Sequence, residues 1–446
     1  MNIATRFAGA WLAGACASVV AGACLAQTAY AAAPATAPSA VPEGWEHGPH
    51  HGTPYSLDHG AYDLNAPTST EEELNEILEP HTGMFTLPFI NDPVNSVFDA
   101  QRQLAESTGL RVAFAYTQLY QQASGGPGDR WAMSGDADLL FDWTLVGRGT
   151  ENPGRFVFSV EERFTIGSAI PPSQLRGQIG SLVGTTGGFN DQGLVIRDAF
   201  WDQWLADGRL RVLIGRAAPG DYVGAHRLQN SNNAYFNTNF SGNVTMAAPG
   251  HGPMAVLSVK PNDLFYVTAG AANAYSVTTK SSLNTLFDEG KLYTFGEVGV
   301  TPEIEELGRG RIAVTGWYMP ERELLGLPSD WGVNLTAEQY ISENLWVFGR
   351  YGYADTGLTG VKQGCSAGVA FDGLLGSPDN LTALAVGYAV PTNNGLRDET
   401  SAEVFHRFQV TEHTQFTVGA QAIIDPANAP NDDVIGVFSF RLRFEF

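Results

Sequence analysis

The stretch FSFRLRFEF, residues 438–446, decides how this chain is read. Phe438, Phe440, Leu442, Phe444 and Phe446 share one parity, and Ser439, Arg441, Arg443 and Glu445 share the other. A period of two sets these groups on opposite faces of a β-strand. Two architectures accommodate such a strand. One is the edge of a soluble sandwich; the other is a barrel wall with lipid outside and water within.

Composition narrows the choice. The 446 residues include 51 Gly, 25 Phe, 15 Tyr and 9 Trp, and 16% are charged. Mean hydropathy is −0.10, and after the N-terminus no apolar run is long enough for a membrane helix. A transmembrane barrel escapes such averaging, because its lipid and lumen faces cancel. The net charge of −22 argues against nucleic acid, whose phosphates need Lys and Arg to displace counterions. Of the 25 basic residues, four are Lys. The Arg bias suits a polar lining of planar, permanently charged donors.

Residues 1–31 read as a secretory signal peptide: Arg6 precedes a small-residue apolar stretch, and Ala29-Tyr30-Ala31 fits the cleavage pattern. A lipid-anchored alternative needs Leu three residues before Cys16 or Cys24, and both have Ala there. Cleavage leaves Cys365 alone, which excludes an internal disulfide. Residues 32–92 read as a flexible His-, Ala- and Pro-rich periplasmic leader carrying a short acidic helix over 71–79. Thr70 is the expected N-cap of that helix, with Glu73 completing a capping box. His47, His50, His51 and His59, with Glu43, Glu46 and Asp58 nearby, could hold a transition metal, though without a rigid frame. The main reading of the segment is a solvated leader with no metal and no cofactor. An amphipathic helix is expected over 93–109, capped by Asp92, with Pro93 at its first position and Gly109 closing it.

From Leu110 onward sixteen candidate strands recur, the first at 110–121 and the last at 433–446. Connections after even-numbered strands are mostly short, as in LADG, KPND, ISEN and TEH. Long ones follow odd-numbered strands, near 167–192, 218–252 and 276–290. That asymmetry belongs to outer-membrane barrels. A sandwich gives no reason for it. The expectation is an all-β fold, a 16-stranded antiparallel transmembrane β-barrel over 110–446, with both ends on the short-turn, periplasmic side. Closure pairs every backbone group within the bilayer. Within FVFSVEERF, Phe156, Phe158, Val160 and Phe164 oppose Ser159, Glu161 and Arg163. VIRDAFWDQWL is apolar on both parities and cannot be oriented. Tyr318, Trp346, Tyr351, Tyr353 and Tyr388 are expected in an interfacial girdle.

Four stretches then carry a resemblance: SSLNTLFDEGKLYTFGEVGVTPE, SDWGVNLTAEQ, RDETSAEVFHRFQVTEH and QAIIDPANAPNDDVIGVFSFRLRFEF. Together they resemble the carbohydrate-selective porins of the OprB family, over about residues 93–446. The resemblance implies a sixteen-stranded barrel that passes mono- and oligosaccharides by diffusion through an eyelet lined with Arg and Glu. Terminal Phe446 resembles the signal read by barrel-assembly machinery.

The residues alone are compatible with sugar passage, since Arg and carboxylate groups exchange hydrogen bonds with hydroxyls. Neither entry nor exit tolerates tight binding. The pore-lining candidates are Glu161 with Arg163, Glu403 with Arg407, and Arg441 with Arg443. Arg216 is a further candidate, although strict alternation from Leu210 points it outward. The connection after the fifth strand could fold inward, presenting Tyr222, His226, Arg227, Tyr235 and Phe236, or could shield the mouth from outside. Expected partners are sugars, outer-membrane lipid and lipopolysaccharide, and a second copy in a homo-oligomer remains open. The alternatives are a general pore for small solutes and a non-conducting adhesin or structural barrel. No nucleophile, base and orienter converge, so catalysis is not expected.

Overall fold

The structure, a computed structural model, describes residues 65–304 and 307–446. The expectations for the signal peptide, Cys16, Cys24 and the histidine cluster lie outside the described residues.

Two helices come first, α1 (Thr70–Leu78) and α2 (Pro88–Thr108). The wall then runs β1 (Leu110–Ala123), β2 (Trp131–Val146), β3 (Gly154–Thr165), β4 (Gly193–Leu205), β5 (Leu210–Ala217), β6 (Gly252–Val259), β7 (Phe265–Asn273) and β8 (Leu292–Val300). It continues through β9 (Gly308–Met319), β10 (Asp330–Ser342), β11 (Leu345–Ala354), β12 (Val361–Asp372), β13 (Leu381–Pro391), β14 (Glu399–Thr411), β15 (Thr414–Ile424) and β16 (Val434–Glu445). Each strand pairs antiparallel with its sequence neighbour, and β16 pairs with β1 from Ala115↔Glu445 to Ala123↔Val437. The sheet is therefore a closed sixteen-stranded barrel. A further two-residue strand, Glu303–Ile304, lies in the β8–β9 connection and pairs with the start of β9.

The terminal strand alternates as its sequence dictates. Phe438 and Phe440 are exposed, whereas Ser439, Arg441, Arg443 and Glu445 are buried. The outer surface carries a band of apolar side chains, among them Leu194, Ile196, Ile214, Val298 and Val314. That is the pattern of a lipid-facing wall. β4 resisted orientation for a physical reason. A bulge shifts its register between Ser159↔Asp198 and Val160↔Ile196, and consecutive Arg197 and Asp198 are both buried. A bulge leaves one residue extra on its strand and breaks strict alternation.

The helices depart from expectation in detail. The N-cap of α1 is Ser69, whose hydroxyl accepts from the Glu72 N–H. Thr70 instead turns its hydroxyl to Asp198 at 2.7 Å. α2 begins at Pro88, which suits a first helical position, and so absorbs Pro93 into its interior. It ends at Gly109 in a left-handed conformation (φ 76°), where a Cβ would lie 2.6 Å from the Thr144 carbonyl. α2 packs beneath the short turns, with Phe98 stacked on His413 and Asn95 bonded to Glu412 at 3.0 Å.

Two long connections enter the interior. The β5–β6 connection, 218–251, folds inward and carries the short helix α4 (Thr238–Ser241). The β3–β4 connection, with α3 (Pro172–Ile179), does the same; Glu399 accepts from Ser181 and from the Leu182 and Val183 N–H groups. An apolar core forms between the inward loops and the wall, from Phe189, Tyr235, Phe236, Phe240, Trp346, Phe348 and Phe405. Trp346, expected at the lipid interface, belongs to this core and is 1% exposed. Wall glycines make the room: a Cβ on Gly419 would lie 2.6 Å from the Phe236 ring, and one on Gly387 3.1 Å from Asn239.

Candidate functional site

The lumen is organised around α1, whose glutamates are buried although burial penalises a carboxylate's charge. Glu71, Glu72, Glu73 and Glu76 are at most 5% exposed. Wall arginines meet them. Glu71 pairs with Arg211 at 2.9 Å, and Glu73 with both Arg197 and Arg443 at 3.3 Å. Glu76 faces Arg407 at 3.5 Å. Residues 65–79 are thus lodged in the barrel, in contrast to the free leader expected for this stretch. Burial pushes the Glu71 carboxyl up to about 8 despite Arg211, and Glu79 up to about 7, with Glu76 adding to the shift.

The inward loop meets the same helix. The Asn230 side chain donates to the Pro67 carbonyl at 3.1 Å, Asn233 donates to Glu76, and the Ala66 N–H donates to Asp221 at 2.8 Å. His226 is 1% exposed. Its Nε2–H donates to the Phe240 carbonyl at 2.7 Å and its Nδ1 accepts from the Leu228 N–H at 3.2 Å. Burial holds its imidazole well below the usual range, which fits that neutral tautomer.

Eight of the nine sequence candidates face the interior, and each has a definite task. Glu161 and Arg163 pair at 2.7 Å on β3, with Arg163 also donating to Asp136 at 2.9 Å. Glu403 accepts the Phe236 and Asn237 N–H groups at 2.8 and 2.7 Å, anchoring the loop. Arg441 donates to the Ser231 and Ala234 carbonyls at 2.7 and 2.8 Å and lies over the Phe236 ring. Arg407 and Arg443 hold α1. Arg227 sits over Tyr340 and 3.8 Å from Asp372. Tyr235 is wholly buried and donates its hydroxyl to the Leu384 carbonyl at 2.9 Å, so it packs the loop. Arg216 departs from the group. It keeps the parity of exposed Val212 and Ile214 and donates to the carbonyls of Ile196, Thr278 and Lys280.

A narrow cleft lies between α1, the loop and the wall, lined in part by Glu72, Glu76, Arg227, Asn233 and Arg407. Residues 327–446 match the family described as carbohydrate-selective porin, OprB family. A high-pH structure of Pseudomonas putida OprB shares the fold, with a TM-score of 0.65 at 14% identity over 83% of this chain and 100% of that one. The last 120 residues are thus similar to the OprB porin family, and the whole barrel shares the fold of one of its members. The low-pH structure of the same protein matches with a TM-score of 0.52 at 14% identity, over 82% of this chain and 99% of that one. Porin AaxA of Chlamydia muridarum is 24% identical over 276 residues, 60% of this chain and 59% of that protein. The chain therefore spans about three fifths of the length of the curated relative it matches. The family match and the shared fold are those of an outer-membrane porin barrel.

Several lumen residues of this porin-like barrel escaped sequence reading. Arg197 and Arg211 lie on strands whose alternation was broken or short. Arg211 binds Asp202 at 2.6 Å and Glu71. Arg311 binds Glu338 at 2.8 Å, and Arg350 donates to Gln229 at 2.8 Å. The parity of β5, Leu213 and Arg211 inward against Val212 and Ile214 outward, was the signal for Arg211.

Proposed function

We propose that this porin passes mono- and oligosaccharides passively through its lumen, with arginines and carboxylates exchanging hydrogen bonds with sugar hydroxyls. The observation that carries the reading is the cleft beside α1. Its Glu72, Glu76, Arg227, Asn233 and Arg407 offer planar donors and acceptors, and Leu228, Leu381 and Pro67 offer apolar surface. That mixture suits a pyranose, which is polar at its rim and apolar on its faces. The short-turn end, where α2 packs, faces the periplasm on this reading, and Phe446 addresses assembly machinery. Outer-membrane lipid covers the apolar exterior.

The carboxylates of α1 occupy the arginine ladder that permeating hydroxyls engage, so passage competes with helix docking. Liposome swelling tests the proposal. Faster entry of maltose-sized sugars than of amino acids of similar size is expected. Equal rates for sugars, amino acids and anions would leave a general small-solute pore. Arg407→Met should reduce the sugar preference.

A further inference from the structure

We propose that Asp136, Asp138 and Glu161 form a calcium-sized divalent-cation site in the barrel wall, closed from the lumen side by Asn232 of the inward loop. One carboxylate oxygen from each acid lies within 4.8 Å of those of the other two. Calcium–oxygen distances are about 2.3–2.6 Å, so one ion spans oxygens that far apart. The three residues are 0, 1 and 2% exposed.

The register makes the crowding sharp. Asp138 stands directly opposite Glu161 across the β2–β3 pair, and Asp136 opposite Arg163. Like charges placed directly across a sheet repel. Among the described residues, Arg163 is the cation that touches the group, at 2.9 Å from Asp136 and 2.7 Å from Glu161. Nearby Arg197 is engaged by Glu73, Asp198 and the Thr68 carbonyl. Three buried acids therefore face one guanidinium, which leaves Asp138 without an ion pair among the described residues.

A second observation comes from outside the acidic cluster. Asn232, 5% exposed, approaches Asp138 with its amide nitrogen 3.5 Å from Oδ2, while its own Oδ1 has no hydrogen-bond partner. Asp136 Oδ1 and Asp138 Oδ1 are likewise buried without a partner. A buried amide oxygen in that state is costly, and a half-turn of the amide presents it to an ion. The donor set is then entirely oxygen, three carboxylates and a neutral amide from separate elements. Hard cations prefer such a set, and calcium tolerates its irregular geometry better than magnesium. Bound there, the ion offsets the surplus negative charge and ties loop 218–251 to the wall.

The test uses the full chain, refolded free of lipopolysaccharide in detergent, stripped with EDTA and titrated with calcium by calorimetry. Wild type should bind one ion and melt at a higher temperature with calcium than without. Asp138→Asn should weaken binding at least tenfold and lose the calcium-dependent shift. Asp129→Asn, on an outer loop, should leave both unchanged. Terbium luminescence sensitised by nearby aromatic rings gives a second readout on the same variants. Absence of binding to wild type, or binding that Asp138→Asn does not alter, overturns the site. No sugar enters this experiment, so its failure leaves the permeation proposal standing.

Discussion

Individual residues in this lumen hold architecture and lining at once. Arg443 illustrates it, bound to Glu445 at 2.8 Å, to Glu73 at 3.3 Å and to the Thr117 hydroxyl at 3.0 Å, all of them buried. Removing one partner of a buried pair strands the other charge and costs about 3–5 kcal/mol. Arg443→Ala should therefore lower the urea midpoint in detergent markedly. Arg102→Ala, which breaks the exposed pair with Asp99, should leave the midpoint unchanged. Glycines on the wall act by absence. Gly419→Val places carbon against the Phe236 ring, and overpacking of that kind costs about 1–3 kcal/mol. The same denaturation assay should show it, with the loop loosened rather than the barrel dissolved.

Among the elements, α1 has the most to say about function. The carboxyls of its Glu71 and of Glu79, at its C-cap, are pushed up to about 8 and about 7 by burial. A carboxyl whose folded value is raised favours docking while it is protonated. That contribution is complete below its ordinary value near 4.5 and is lost as pH rises through the raised one. Docking should accordingly weaken between pH 5 and pH 8, the ends of that window. Hydrogen exchange over Thr70–Leu78, corrected for the intrinsic rate, should show protection falling, and Glu79→Gln should flatten the lower part of the response. The strands themselves were legible, because a period of two over so many segments leaves little freedom. Elements were misread where a tertiary partner overrode the local pattern. Thr70 gave up its capping role for Asp198, Trp346 turned from the lipid interface into the loop core, and the bulge in β4 hid Arg197. The candidate site was half legible. Parity identified which arginines and glutamates point inward, yet nothing in the sequence said that a helix and a loop would claim them.

At the scale of the whole molecule, a lipid-facing wall encloses an interior crossed by two inward loops and one acidic helix. On the proposed reading, permeation depends on how firmly that helix is held. Removing residues 65–79 should raise single-channel conductance several-fold while the barrel keeps its β-rich spectrum. Unchanged conductance would show that α1 does not obstruct the path. The most direct measurement is ion current through the full chain in a planar bilayer during titration with a panel of sugars and size-matched amino acids. We expect ohmic conductance that sugars block in proportion to concentration, more strongly than amino acids do, with the block reduced in Arg407→Met. A barrel that inserts yet passes no current, or a current that sugars and amino acids block alike, would contradict the reading.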